Sequence, residues 1–185
     1  NISVGELDLG ALVSAGSVEI SGNTSATNID LGSLSSTTGS IVINDNASAQ
    51  TIVLGSTSSI TGDATITSNA PDAVVDLSSL TTFGCGTNEV TMTLDGGTVQ
   101  MTNGLTLCTN ATLTGSITLD GSVTNNGTIE PGASPGQLNL TGHLVLASPS
   151  RLRLEIGGSA SGQFDVVNVA GGVTLGGTLA VTLVN

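Results

Sequence analysis

The sequence predicts an all-β fold, a parallel β-solenoid (β-helix) with coils of about 23 residues. Three observations carry this expectation: a register that recurs along the first half of the chain, apolar–polar alternation inside each repeat, and a shortage of bulky side chains. The register is plainest in Gly16-Ser17-Val18-Glu19-Ile20-Ser21-Gly22-Asn23. It returns as Gly39-Ser40-Ile41-Val42-Ile43-Asn44-Asp45-Asn46 and again as Gly62-Asp63-Ala64-Thr65-Ile66-Thr67-Ser68-Asn69, each copy 23 residues after the last. The Gly, two apolar positions and the final Asn recur in all three copies.

The other half of each repeat holds a second strand-like block. It reads Leu7-Asp8-Leu9-Gly10-Ala11-Leu12, Ile29-Asp30-Leu31-Gly32-Ser33-Leu34, Ile52-Val53-Leu54-Gly55-Ser56-Thr57 and Val75-Asp76-Leu77-Ser78-Ser79-Leu80. Alternation with period two marks a strand with one buried face. The β-branched content favours strands further, and helical spacing is absent. Such a coil cannot bury its apolar face alone, so neighbouring coils must stack. A narrow interior takes Val, Ile, Leu, Ala and Thr, which explains why Phe83 and Phe164 are the sole aromatics. Roughly eight coils at sheet spacing would make a rod about 40 Å long.

Composition alone would also suit a flexible polar linker, since only 9% of residues are charged. Regularly spaced Val, Ile and Leu and a positive mean hydropathy argue for a folded chain instead. The net charge of −12, with Arg151 and Arg153 as the whole basic content, speaks against nucleic acid, which needs clustered cations. It also disfavours anionic membrane surfaces. No apolar run approaches the ~20 residues of a transmembrane helix, so no membrane insertion is expected. Without an initiator Met or a basic-then-apolar signal segment, the chain reads as a mature or excised piece of a longer precursor.

Beyond the third repeat the period loosens. Leu94-Asp95-Gly96-Gly97 and Leu119-Asp120-Gly121-Ser122, 25 residues apart, read as turns that could align Asp95 and Asp120 in adjacent coils. Residues 1–130 are expected to form solenoid coils. Residues 131–185, after the turn-rich Pro131-Gly132-Ala133-Ser134-Pro135-Gly136, form the final coils or a β cap continuous with them. Strands are expected there at 137–140, 143–146, 151–156, 165–169, 172–175 and 179–184.

The segment Gly127-Thr128-Ile129-Glu130-Pro131-Gly132-Ala133-Ser134-Pro135-Gly136-Gln137-Leu138 resembles a motif common in bacterial autotransporter passengers and related large surface proteins. The tail from Phe164-Asp165-Val166-Val167-Asn168-Val169 through Gly172-Val173-Thr174-Leu175-Gly176-Gly177-Thr178-Leu179 continues the likeness. It implies a right-handed parallel β-helix displayed outside the cell. The first three and a half repeats, with Leu-Asp-Leu-x-x-Leu and a terminal Asn, are similar to receptor-L-domain or leucine-rich-type coils.

Cys85 and Cys108 lie 23 residues apart. One coil of separation can stack them within disulfide reach, so the spacing favours a disulfide over two buried free thiols and suits an oxidising compartment. Cys85 to Thr87 looks like a short insertion. Of six N-x-S/T sequons, at Asn1, Asn23, Asn46, Asn110, Asn126 and Asn139, the turn positions Asn110 and Asn126 are the better candidates for glycosylation. Asn23, Asn46 and Asn69 are instead expected to form a column of left-handed turns with side chains bonded from coil to coil. The Asp8, Asp30, Asp76 column, interrupted by Val53, is expected to be a solvated face, with a weak divalent-cation site as the alternative.

No catalytic residue, cofactor or metal is expected. Gly132-Ala133-Ser134-Pro135-Gly136 fits G-x-S-x-G, but Pro135 lacks the backbone N–H that a nucleophile elbow contributes to its oxyanion hole. His143, nine residues on, has no evident acid to orient it and reads as a solvent-facing strand residue. Two Cys and one His are too scattered for zinc.

The expected function is therefore that of an extracellular or cell-surface structural protein, a subunit that self-associates into a fibre. Uncapped apolar strands at Ile2 and Val4 and at Leu179, Val181 and Leu183 invite head-to-tail stacking into a homo-oligomer. An adhesin stalk or autotransporter-type passenger with a surface or glycan ligand is the alternative. An ice-binding module, suggested by Thr65-Ile66-Thr67 and Thr91-Met92-Thr93, is a weaker one, because Glu19/Ser21 and Val42/Asn44 hold the equivalent earlier positions.

Overall fold

A computed structural model describes residues 5–132 and 135–184. Among them there is no helix, and short strands stack coil on coil into a parallel β-solenoid of about eight turns. Each coil turns through three walls. The first contains Glu6–Asp8, Asn28–Asp30, Thr51–Val53, Val74–Asp76, Gln137–Leu140 and Val166–Val169. The second begins with Ser14–Ala15, Ser36–Thr37 and Ser59–Ile60. The third runs from Val18–Ser21 through Ile41–Asn44, Ala64–Thr67, Val90–Leu94, Ala111–Thr114, Thr128–Glu130 and Arg151–Ile156 to Thr178–Leu183. In the middle coils two longer strands, Thr98–Leu107 and Ile117–Asn125, carry the first wall round the corner into the second.

Parallel pairing in register puts like residues above one another. Leu7, Ile29, Ile52, Val75, Val99 and Leu119 form one inward file. Val18, Ile41, Ala64, Met92, Leu113 and Ile129 form another on the facing wall. Both files lie in one continuous core. Each fully buried Ile or Leu contributes about 1.5–3 kcal/mol relative to exposure. Within each of the first four coils an i→i+3 bond turns the chain at the same place: Leu12 N–H to Leu9, Leu34 to Leu31, Thr57 to Leu54 and Leu80 to Leu77, all at 2.9–3.0 Å. Thr57, buried in a Leu file, satisfies its hydroxyl on the Leu34 carbonyl at 2.8 Å.

The asparagine column lies inside the corner between the third wall and the next coil. Asn46 is fully buried. Its Nδ2 donates to Asn69 Oδ1 and to the Ile20 carbonyl, each at 3.0 Å. Its Oδ1 accepts both the backbone and side-chain N–H of Asn23 at 3.0 Å. The left-handed residue is not the asparagine, as the sequence suggested, but the one before it: Gly22, Asp45 and Ser68 have φ of 68°, 57° and 54°. That twist swings the following side chain inward, where it can bond along the stack.

Two sequence expectations fail in the second half. Asp95-Gly96-Gly97 is a turn, but Leu119 to Ser122 lies within the strand Ile117–Asn125. Asp120 pairs with Gln100 and not with Asp95. The reason is coil length: third-wall partners Thr112 and Thr128 are only 16 residues apart, while Ala64 and Met92 are 28 apart, so a fixed period misplaces the later turns. After residue 135 the strands Gln137–Leu140, Leu144–Leu146, Arg151–Ile156, Val166–Val169, Val173–Thr174 and Thr178–Leu183 extend the same sheets.

Replacing Asn46 by Ala should leave the Asn23 N–H and the Ile20 carbonyl short of a partner. Each such buried group costs about 1–3 kcal/mol. Denaturant unfolding followed by circular dichroism is expected to show a loss of roughly 2–5 kcal/mol, larger than for Asn23→Ala at the end of the ladder.

Candidate functional site

Four surface features stand out, each singled out in the sequence at least in part. On the first wall, Asp8, Asp30 and Asp76 face outward in one file with Val53 between them. Each carboxylate caps its own turn, accepting the N–H of Gly10 at 2.8 Å, Gly32 at 2.7 Å and Ser78 at 2.9 Å. An Asx turn of this kind is a structural use for the acid. Among the described residues no group of three or more His, Cys, Asp or Glu is placed to hold a metal ion.

On the third wall the outward positions of the middle coils are threonines. Thr65 stands beside Thr93, and Thr93 beside Thr114; Thr91 stands beside Thr112, and Thr112 beside Thr128. The two T-x-T segments singled out from the sequence are offset, since Thr93 pairs with Thr65 and not with Thr67. The sequence reading missed Thr112 and Thr114, although the same T-x-T pattern marks them. Glu19 and Val42 precede this patch; Asp63, whose carboxylate accepts the Thr91 N–H at 2.8 Å, borders it in the Thr65 coil, and Glu130, ion-paired with Arg153, borders it in the Thr128 coil.

The disulfide joins Cys85 to Cys108, with Cα atoms 4.9 Å apart. Cys85 lies in an exposed five-residue excursion, residues 85–89, and this insertion produces the 28-residue step on the third wall. The excursion is tied to the coil that follows it. Asn110 Nδ2 donates to the Gly86 carbonyl at 2.6 Å, and Cys108 N–H to the Phe83 carbonyl at 2.8 Å. Towards the preceding coil it overhangs a groove of about 250 Å³ lined by Ser59, Ile60, Thr61, Thr82 and Asn88.

The fourth feature is the last coil. Val173 is 49% exposed, Val181 52%, Leu179 61%, Leu175 79% and Leu183 81%. Their counterparts earlier in the files, Leu113 and Ile129 below Leu179 and Val123 and Leu144 below Val173, are buried. The other expected edge residues, Ile2 and Val4, lie outside the described residues, as do Ala133 and Ser134 of the G-x-S-x-G segment.

Among the described residues the sequon asparagines are engaged in coil-to-coil bonds, whereas Asn1 lies outside them. Asn23 and Asn46 belong to the internal ladder. Asn110 and Asn126 are half-buried, and their Nδ2 atoms, where a glycan would attach, donate to the carbonyls of Gly86 and Leu107. His143 is exposed just ahead of a strand, and its Nδ1 accepts the Gly172 N–H at 2.7 Å. Asp165 is buried, a residue the sequence gave no reason to single out. Its two oxygens accept the N–H groups of Gly136 and Glu155 at 2.7 Å each, tying the excursion after Ile156 back to the stack.

No known family model matches the chain, and neither any curated protein nor any solved structure is similar to it. The likeness to autotransporter passengers therefore stands at the level of fold, a parallel β-solenoid.

A disulfide closing a loop of 23 residues stabilises by about 3 kcal/mol. Cys85→Ser combined with Cys108→Ser should lower unfolding stability by that order while keeping the β spectrum, because Phe83 and Leu107 remain buried in the core. Calorimetry with parallel circular dichroism checks both halves.

Proposed function

We propose that this chain is a structural element of an extracellular or cell-surface fibre, and that it self-associates through its last coil. The observation that carries this reading is the apolar set Val173, Leu175, Leu179, Val181 and Leu183, exposed in the last described coil, whereas Leu144 below Val173 and Leu113 and Ile129 further down the Leu179 file are buried. Such an edge presents unpaired strand groups beside apolar side chains, a template for further strands. The disulfide suits an oxidising compartment, and no helix among the described residues is long and apolar enough to cross a membrane.

Light scattering over a concentration series should give a mass that rises with concentration, and electron micrographs should show rods longer than one chain. Leu179→Asp with Val181→Asp, whose side chains are already solvent-exposed, should hold the protein monomeric. A wild-type chain that stays monomeric throughout overturns the fibre reading and leaves that of a monomeric adhesin stalk, whose further coils would come from its own polypeptide.

The threonine patch favours a second reading, binding to ice. Its hydroxyls and methyls repeat at the coil spacing of about 4.8 Å in one direction and at two residues along the strand in the other. This places a two-dimensional array of threonines on the third wall, bordered by Asp63 in the Thr65 coil and by Glu130 in the Thr128 coil. Ice recrystallisation should be inhibited by the wild type and not by Thr93→Lys with Thr112→Lys. Equal behaviour of the two removes this reading.

A further inference from the structure

An Asn or Asp precedes Gly at four places: Asp95-Gly96, Asn103-Gly104, Asp120-Gly121 and Asn126-Gly127. In such a pair the following backbone nitrogen can reach the side-chain carbonyl carbon and close a five-membered ring, because no side chain on the Gly stands in the way. Closure needs a nitrogen released from its hydrogen bond, room for the ring, and a backbone not pinned in a ladder.

Three of the four pairs are held. The Gly96 N–H donates to the Ser116 carbonyl at 3.0 Å, the Gly121 N–H to the Thr141 hydroxyl at 3.1 Å, and the Gly127 N–H to Asn125 Oδ1 at 2.9 Å. Room is missing as well at two of them. A Cβ on Gly121 would collide with the Met101 carbonyl oxygen, and one on Gly127 with those of Ala111 and Cys108. The Asn126 amide is itself tied to the Leu107 carbonyl.

Asn103-Gly104 differs in each respect. Within Thr98–Leu107, Met101 pairs with Gly121 and Leu105 with Val123, so Thr102, Asn103 and Gly104 stand opposite Ser122 alone. Residues added in a bulge drop out of the ladder. Gly104 has φ of 74°, which glycine adopts without steric cost. A Cβ there would meet only the Ser122 carbonyl oxygen, at 3.3 Å. Asn103 is exposed, and its Nδ2 donates to the Ser78 carbonyl at 2.8 Å.

We propose that Asn103 is a site of self-modification, converted to aspartate and isoaspartate through attack by the Gly104 nitrogen. Solvent takes the Gly104 amide proton, the nitrogen bonds to Asn103 Cγ, and the Cγ–Nδ2 bond breaks to release ammonia. Water then opens the ring. Addition at Cγ leaves aspartate, and addition at the Asn103 backbone carbonyl leaves isoaspartate, with the chain running through the side chain. In sum one amide and one water become one carboxylate and one ammonium, with no oxidant or reductant.

The product alters the stack. A carboxylate has no proton to donate, so the tie from Asn103 to the Ser78 carbonyl is lost. A second acid then faces Ser78, whose N–H already serves Asp76 Oδ1 at 2.9 Å. The modification therefore loosens the corner where Thr98–Leu107 passes from the first wall to the second.

Peptide mass spectrometry of folded protein kept in mildly alkaline buffer tests this. The Asn103 peptide should gain the mass of an amide-to-acid exchange and split into aspartate and isoaspartate forms, while the Asn126 peptide keeps its amide. In the reduced chain unfolded in urea both Asn-Gly pairs should convert alike, because the bonds that hold Gly127 are gone. Asn103→Gln, whose longer side chain would have to close a six-membered ring, should keep its amide in the fold. Conversion of Asn126 as fast as Asn103 in the folded chain overturns the proposal. So does an Asn103 that keeps its amide in the fold, whether or not the unfolded chain converts.

Discussion

Parallel stacking of coils at the spacing of a β-ladder is the constraint from which the rest of the molecule follows. Every position meets its own counterpart above and below, so a side chain acceptable once must be acceptable many times over. Apolar residues satisfy this by packing into files such as Ile29, Ile52 and Val75. Buried amides satisfy it because an asparagine has both a donor and an acceptor, and so can bond to its neighbour on either side, as Asn46 does to Asn23 and Asn69. A buried carboxylate repeated in the same way could not. The acids that repeat from coil to coil are accordingly on the outside, where each of the file Asp8, Asp30 and Asp76 turns to its own backbone for a partner.

The same constraint governs where the solenoid tolerates irregularity. Strands must stay in register, but corners are free to change length. The Cys85 excursion, the long strands Thr98–Leu107 and Ile117–Asn125 that absorb a corner, and the segment between Ile156 and Asp165 are all departures at corners. Each larger excursion is tied back by a specific device. The first has a disulfide and the Asn110 amide; the last has the Asp165 carboxylate, which takes N–H groups from two separate strand ends. Without such ties, an excursion would add chain entropy without adding buried surface.

Stacking also sets the character of the ends and walls. An interior coil covers its neighbours, whereas the last described coil presents to solvent the files that other coils hide. The walls bear chemistry that the core does not dictate. Outward residues change from acids to threonines to an Arg–Glu pair along the rod. Function in such a fold is therefore carried by the surface of a wall or by the end of the stack.

From Gly16 to Leu80 the sequence by itself determined wall, face and register, because coils there have nearly equal length and alternation needs no distant information. It also indicated the Cys85–Cys108 pairing, since one coil of separation is a geometric statement in a solenoid. The turn at Leu119 was misread, and the Asp95–Asp120 alignment with it, because Asp-Gly within a strand and Asp-Gly at a corner look alike locally. Which one occurs depends on how many residues the neighbouring coil spends on its corner. The left-handed residue at Gly22, Asp45 and Ser68, the clamp at Asp165 and the joining of Thr91, Thr112 and Thr128 into one patch likewise belong to the tertiary structure. Each depends on contacts between coils of unequal length, and only the assembled stack decides which residues those contacts bring together.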